Sequence, residues 1–198
     1  MGVHPSVIFF TSDSHFHHKN VIKYCGRPFH SLDEMNSELI RHWNSRVGAT
    51  DTVYHLGDFC FGKRELLAPT LQALNGYKIL IRGNHDRTKT AMLEAGFAEV
   101  HDCLELELEG HRLYLSHIPV TVAADERRAK NKYPPELTRP PPPHDYFLCG
   151  HVHELWARQG NVINVGVDVR DFEPKTLEEL AISSKLSSSD SRCELVQR

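Results

Sequence analysis

The sequence predicts an α/β fold, and three features predict it. Continuous apolar runs open at residues 7, 51 and 77, each with the composition of a strand buried on both faces. Segments with helical spacing separate and follow them, over 32–47, from Leu66 to Gly76 and over 88–95. A second group of strand-like runs begins at residue 103, where leucines and glutamates alternate.

The elements follow in order. "VIFFTSDSH" (7–15) is the first strand and ends in Asp13-Ser14-His15. The helix over 32–47 opens on a capping box, Ser31 with Glu34, and repeats Met35, Leu39, Trp43 and Val47 on one face. "DTVYHLGDF" (51–59) is the second strand, ending at Gly57-Asp58. Leu66, Leu67, Leu71 and Leu74 mark the next helix; Pro69 disturbs its first turn, and Asn75-Gly76 stops it. "YKILIRGNHD" (77–86) is the third strand, and the short helix Thr88–Ala95 ends at Gly96. In "CLELELEGHRLYLSH" (103–117), Leu104, Leu106 and Leu108 alternate with Glu105, Glu107 and Glu109 before Gly110, the pattern of a half-solvated hairpin. "DYFLCGHVHE" (145–154) and "NVINVGVDV" (161–169) complete the strands, and a helix starts near Thr176. Proline-dense residues 119–144 predict an extended surface loop or flap, and 186–198 a mobile tail to a single domain over 1–185.

A chain of 198 residues with 40% hydrophobic content can bury an ordinary core. Its net charge of −3 excludes a global basic field for bulk nucleic-acid binding. Cys25, Cys60, Cys103, Cys149 and Cys193 are scattered without a CxxC pair, which argues against a disulfide framework or a cysteine zinc site and suits a reducing compartment. No apolar run reaches membrane-spanning length, so the expectation is a cytoplasmic protein with no membrane partner. The unusual feature is histidine: fourteen of them, spread from His4 to His153 instead of clustered as a tag. Imidazole is the commonest side-chain metal ligand and a frequent proton shuttle.

Five predicted strand ends carry metal-competent side chains: Asp13 with His15, Asp58, Asn84-His85-Asp86, His117, and His151 with His153. In open α/β sheets, ligands gather at the carboxyl ends of strands. Asp13/His15 and His151/His153 are i, i+2 pairs, which project to one side if the chain is extended. Gly57, Gly83 and Gly150 allow sharp turns or close approach. Singly, each element has an ordinary alternative: a helix cap at Asp13, a turn at Gly57-Asp58 or at Gly83-Asn84, a satisfied core histidine at 117. Two imidazoles after Gly150 have no such role in ending a strand. Carboxylate, amide oxygen and imidazole together suit Mn, Fe, Zn, Co or Ni better than calcium.

The ordered set D-x-H, GD, GNHD, H and GHxH resembles the calcineurin-like metallophosphoesterase superfamily over roughly residues 7–170. It is most similar to small bacterial and phage members with "SDxHFxHxN" and "YCxRPF", here Ser12–Asn20 and Tyr24–Phe29. The resemblance implies a four-layer α/β/β/α sandwich with two divalent metals, manganese first among the candidates. It implies that Asp13, His15, Asp58 and His153 hold one metal, and that Asp58 bridges to a second completed by Asn84, His117 and His151. His85 then stands outside both shells as the catalytic side chain, with Asp86 orienting its imidazole. Two such ions, about 3.5–4 Å apart, clamp a phosphate and activate water for in-line attack.

Beyond these, His18 and Arg27 are candidate phosphate contacts, and His55 is either a support for Asp58 or a buried structural histidine. The expected substrate is a phosphodiester, with monoesters as a second class, and a nucleotide or nucleic-acid end is its expected form. Two rival readings stand beside it: a nuclease, and a non-catalytic binding scaffold on the same fold. The substrate itself and the oligomeric state are not encoded in any motif.

Overall fold

The structure is a computed structural model that describes residues 6–119 and 133–182. Residues 120–132 of the expected flap and the expected tail, 186–198, lie outside the described residues.

Two sheets pack face to face. Strands β1 (Ile8–Thr11), β2 (Thr52–His55), β3 (Tyr77–Ile81) and β4 (Glu99–His101) form a parallel sheet in chain order. The second sheet has the order β5-β6-β7-β9-β8, from β5 (Cys103–Leu108), β6 (His111–Ser116), β7 (Tyr146–Cys149), β8 (Arg158–Gln159) and β9 (Val162–Asn164). Its three central strands β6, β7 and β9 are parallel, and both edges are antiparallel.

The period of two in the strands sorts the side chains into layers. Phe9, Val53 and Leu80 face the helices, packing on Met35, Leu39 and Trp43 of α2 (Leu32–Arg46), on Leu67 and Leu71 of α3 (Arg64–Gln72), and on Met92 of α4 (Lys89–Ala95). Tyr54, Ile79 and Ile81 meet Leu113, Leu115, Leu148 and Ile163 between the sheets. The outer face of the second sheet presents Tyr114, Phe147 and Cys149. Tyr114 donates its hydroxyl to the Arg139 carbonyl, and His144 packs on Phe147, so the proline-bearing stretch straps across that face. Together with the 3-10 turn Pro135–Leu137, whose Leu137 packs on Ile118 and Tyr133, it forms the last layer among the described residues.

The helix signals act as their chemistry dictates. Ser31 accepts from the Glu34 N–H, while the Glu34 carboxylate reaches past the cap to the His30 N–H. Gly96, at φ +118, stops α4 in the left-handed region that a Cβ disfavours. Pro69 is accommodated inside α3.

The structure differs from expectation at five places. A short helix, α1 (Lys19–Tyr24), follows the first motif, and β4 and β8 add edge strands that no period marks. The expected strand over 161–169 stops at Asn164, because the Asn164 side chain takes over the bonding: its Oδ1 accepts from Gly166, and its amide donates to the His153 and Trp156 carbonyls. The helix expected near Thr176 is a single turn that ends at Ala181, φ +57, with Leu177, Leu180 and Ile182 buried.

His55 ends β2 fully buried, its Nε2 2.9 Å from Ser14 Oγ and its ring packed between Trp43 and Phe59. Burial, reinforced by His117 and opposed by Asp58, pushes its pKa down to about 3. With the folded value below the ordinary one, the unfolded chain takes up this proton first. His55 therefore contributes stability above about pH 6.5 that is lost progressively as pH falls toward 3. In an NMR titration its imidazole should remain neutral at pH 5; a midpoint near 6.5 would contradict the assignment.

Candidate metal centre

The loops after β1 and β2 run on side by side beyond the strands. Asp13 donates its N–H to the Gly57 carbonyl, His15 to Asp58 and Phe16 to Phe59, at 2.9–3.0 Å. The second sheet joins them: the Val167 N–H donates to the Ser12 carbonyl, and the His151 N–H to both Asp13 oxygens. Side chains from all five sequence motifs therefore meet along the seam between the sheets.

Convergence does not come from extended strand geometry, as the i, i+2 spacing predicts. Asp13, His15, Asp58, His151 and His153 all have left-handed backbone, with φ of 56, 49, 55, 71 and 46°. Such conformations are costly for side-chain-bearing residues and cluster at functional sites. All three glycines fulfil the expectation: Gly57 turns at φ +92, where a Cβ would meet the Gly83 backbone and His117 Nδ1. A Cβ on Gly83 would intrude on Asp58, and one on Gly150 on Ser12 Oγ and Asp13 Oδ2.

Ligand atoms of Asp13, His15 and His153 lie within 4.8 Å of one another, as do those of Asp13, Asp58 and His117. Asp58 Oδ2 stands between the two groups, 3.5 Å from His15 Nε2 and 3.4 Å from His117 Nε2, the place of a shared ligand. His151 packs on His117 at 5.2 Å between ring centroids. Asn84 Oδ1, both His15 ring nitrogens and His117 Nε2 are buried with no hydrogen-bond partner. His117 Nδ1 lies 2.7 Å from the Leu56 carbonyl and donates to it, which turns Nε2 toward Asp58 and the site. Buried nitrogen and oxygen atoms left without partners, gathered round two carboxylates, are a ligand set that a divalent cation would complete.

Burial and neighbouring charge set the protonation of each group in the cluster. Burial drives His15 down to about 2 against the pull of Asp58. Burial also opposes protonation of His117 and His153, yet Asp58 carries the former up to about 9 and the Asp168 hydrogen bond the latter to about 11. Asp13 is raised by its burial, whereas Asp58 is held low by His117 and His15 despite its own.

Two expected roles are corrected. Arg27 is no phosphate contact. Its buried guanidinium donates to Asp168 Oδ1 and Oδ2, to the Asp13 and Ser14 carbonyls and to Met35 Sδ, which uses all five N–H groups. Asp86 does not orient the His85 ring. Its oxygens accept from the Asp58, Phe59 and Gly83 N–H groups at 2.7–2.9 Å, tying the second motif to the third. His85 itself is exposed, with its N–H on Asp58 Oδ1 and its ring 5.8 Å from that of His15 and 5.4 Å from that of Phe61. His18 lies on the same cleft wall, stacked on Phe61.

Sequence reasoning missed Asp168 and Tyr133. Asp168 Oδ2 is 2.8 Å from His153 Nδ1, the carboxylate–histidine pairing that fixes a ligand ring, and Tyr133 Oη is 3.1 Å from His151 Nε2. A carboxylate inside the apolar run "VGVDV" was the available signal for the first, since a buried charge needs a partner.

Asp86→Asn would turn one acceptor into a donor facing a backbone N–H, at a cost of about 1–3 kcal/mol for each group left unpaired. It should lower the melting temperature and the metal content of the purified protein, while His85→Ala lowers neither. Calorimetry with elemental analysis checks this, and a wild-type melting temperature for Asp86→Asn would refute the strut.

The chain is similar to several known proteins. A curated relative, an uncharacterized protein of Methanocaldococcus jannaschii, is 40% identical over 114 residues, 57% of this chain and 58% of the relative. The Gene 66 protein of Mycobacterium phage L5 is 36% identical over 81 residues, 39% of each. The chain thus spans well under two thirds of either relative's length. A solved structure, a protein of unknown function from Aquifex aeolicus, superposes with a TM-score of 0.68 at 29% identity, over 89% of this chain and 98% of that one. Residues 7–176 match the calcineurin-like phosphoesterase superfamily domain, and the chain belongs to that superfamily.

Proposed function

We propose that the protein hydrolyses phosphodiesters with water as the nucleophile and two divalent metals as cofactors, manganese being the first to test. The observation that carries this reading is the set of unpartnered donors, His15, Asn84 and His117, round buried Asp13 and Asp58. Asp13, His15, Asp58 and His153 would hold one ion, and Asp58, Asn84, His117 and His151 the other. Bound there, such ions supply a water acidified to near neutrality and positive charge for the phosphoryl oxygens.

The protein's own residues do the rest. Asp86 and Arg27 fix the loops that carry Asp13 and Asp58, and Asp168 fixes the His153 ring. His85, exposed beside His15, is placed to give a proton to the leaving oxygen or to stabilise charge on the phosphoryl group. Among the described residues neither Cys25 nor Ser14 is set up as a nucleophile: burial pushes the Cys25 thiol on the cleft wall up, away from thiolate, and Ser14 is buried against His55.

Diesters are favoured over monoesters by charge. Among the described residues, no Lys or Arg lines the cleft, and Arg27 is fully engaged behind it. A monoester dianion needs cationic partners at its peripheral oxygens that this wall does not offer, whereas a diester carries one charge.

His85→Ala should keep its metals and lose about 10²–10⁴-fold in turnover. Chelation should abolish turnover and lower the melting temperature, with manganese restoring both. At a hundredfold excess over Kd, a bound ligand adds about 2.7 kcal/mol. A manganese-supplemented panel of bis-aryl phosphate, aryl monophosphate, cyclic nucleotides and single-stranded oligonucleotides measures the preference. Higher kcat/KM on the monophosphate would overturn the diester assignment, and no turnover at all would favour the scaffold reading.

A further inference from the structure

The cleft that holds His15, His85, His151 and His153 has a volume of about 640 Å³, within the range of small-ligand sites. The hydrolytic chemistry leaves most of its rim unused. Three large apolar side chains on that rim are open to solvent: Tyr24 at 69%, Phe61 at 48% and Leu155 at 74% exposure. They come from α1, from the loop after β2 and from the 3-10 turn after His153, so no single amphipathic element brings them together. Isolated exposed apolar residues are ordinary on a protein surface; three around one cleft are a patch beside a site.

The rings are ordered. Tyr24 meets His18 edge-on at 6.3 Å, His18 lies flat on Phe61 at 4.1 Å and 20°, and Phe61 meets His85 at 5.4 Å. This row runs from the solvent end of the rim to the side chain assigned the proton transfer. The rim's charge is equally specific. Among the described residues lining the cleft, Glu154 is the one acid and there is no Lys or Arg. On these residues a second phosphate beyond the scissile one would meet an acid and no cation, which favours a single nucleoside over a strand whose backbone needs repeated cationic contacts.

We infer that Tyr24, Phe61 and Leu155 form a subsite for the flat, uncharged ring of a nucleobase, and that the substrate is a phosphodiester of a single nucleoside. This assignment rests on the hydrolase reading above and names its substrate class. Base–aromatic stacking accounts for about 5- to 150-fold in affinity.

The test compares two diesters with one leaving group, thymidine 5′-(4-nitrophenyl phosphate) and methyl 4-nitrophenyl phosphate, on the manganese-supplemented full chain. Calorimetric titration of thymidine 5′-(O-methyl phosphorothioate) and of dimethyl phosphorothioate reads binding apart from turnover. The thymidine compounds should be favoured at least fivefold in both measurements, through KM in the first, and Tyr24→Ala should collapse both ratios. Equal affinity for the two phosphorothioates, or unchanged ratios in Tyr24→Ala, would overturn the subsite. A higher kcat/KM on oligothymidylate than on the thymidine diester would overturn the single-nucleoside size. Tighter binding of the thymidine analogue without turnover of either ester would support the subsite and count against the hydrolase reading alone.

Discussion

Two carboxylates that ought to repel lie buried together. Asp13 and Asp58, 0% and 3% exposed, sit with ligand atoms within 4.8 Å on the seam between the sheets, and much of the surrounding structure answers to that placement. Like charges at this depth are tolerated only with compensation. It comes from the imidazoles of His117 and His153 and from backbone N–H groups on Asp13 and Asp58 oxygens, and the unpartnered donors round them offer a place for a cation. The left-handed backbone at five of these positions is the conformational cost of bringing the groups to one point.

Two further acids keep the arrangement in place without entering it. Asp86 gathers three N–H groups from the second and third motifs. Asp168 holds the His153 ring with one oxygen while both its oxygens take the Arg27 guanidinium, whose remaining donors cap the Asp13 and Ser14 carbonyls. Arg27 and Asp168 are 0% and 2% exposed, and removing one partner of such a pair costs about 3–5 kcal/mol. The first and last motifs are thereby fixed to one another through a single buried cation.

The period of the apolar residues made the sheets, α2 and the hairpin legible, because burial on one or two faces imposes a pattern that one chain displays. The metal-competent side chains were legible for a related reason: histidine and aspartate straight after apolar runs have no structural use that repeats five times. What stayed hidden depends on partners far away in sequence. Arg27 looked like a phosphate ligand because its charge is visible and Asp168 is not identifiable as its partner. Asp86 looked like an aid to its neighbour His85, although its carboxylate turns back to backbone groups of residues 58, 59 and 83. Short edge strands such as β8, two residues long and exposed, bury too little to leave a period.

The Arg27–Asp168 pair joins residues 141 positions apart, and this bears on how the chain is made. A ribosome delivers the parallel sheet first, complete with Asp13, Asp58 and Asn84. His117, His151, His153 and Asp168 follow only after further synthesis. Throughout that interval Asp13 and Asp58 lack the His117, His151 and His153 groups that face them in the complete fold. The clasp closes when one of the last described segments leaves the exit tunnel, so a chain interrupted just before residue 168 would hold every ligand side chain and lack the carboxylate that fixes the His153 ring and pairs with Arg27.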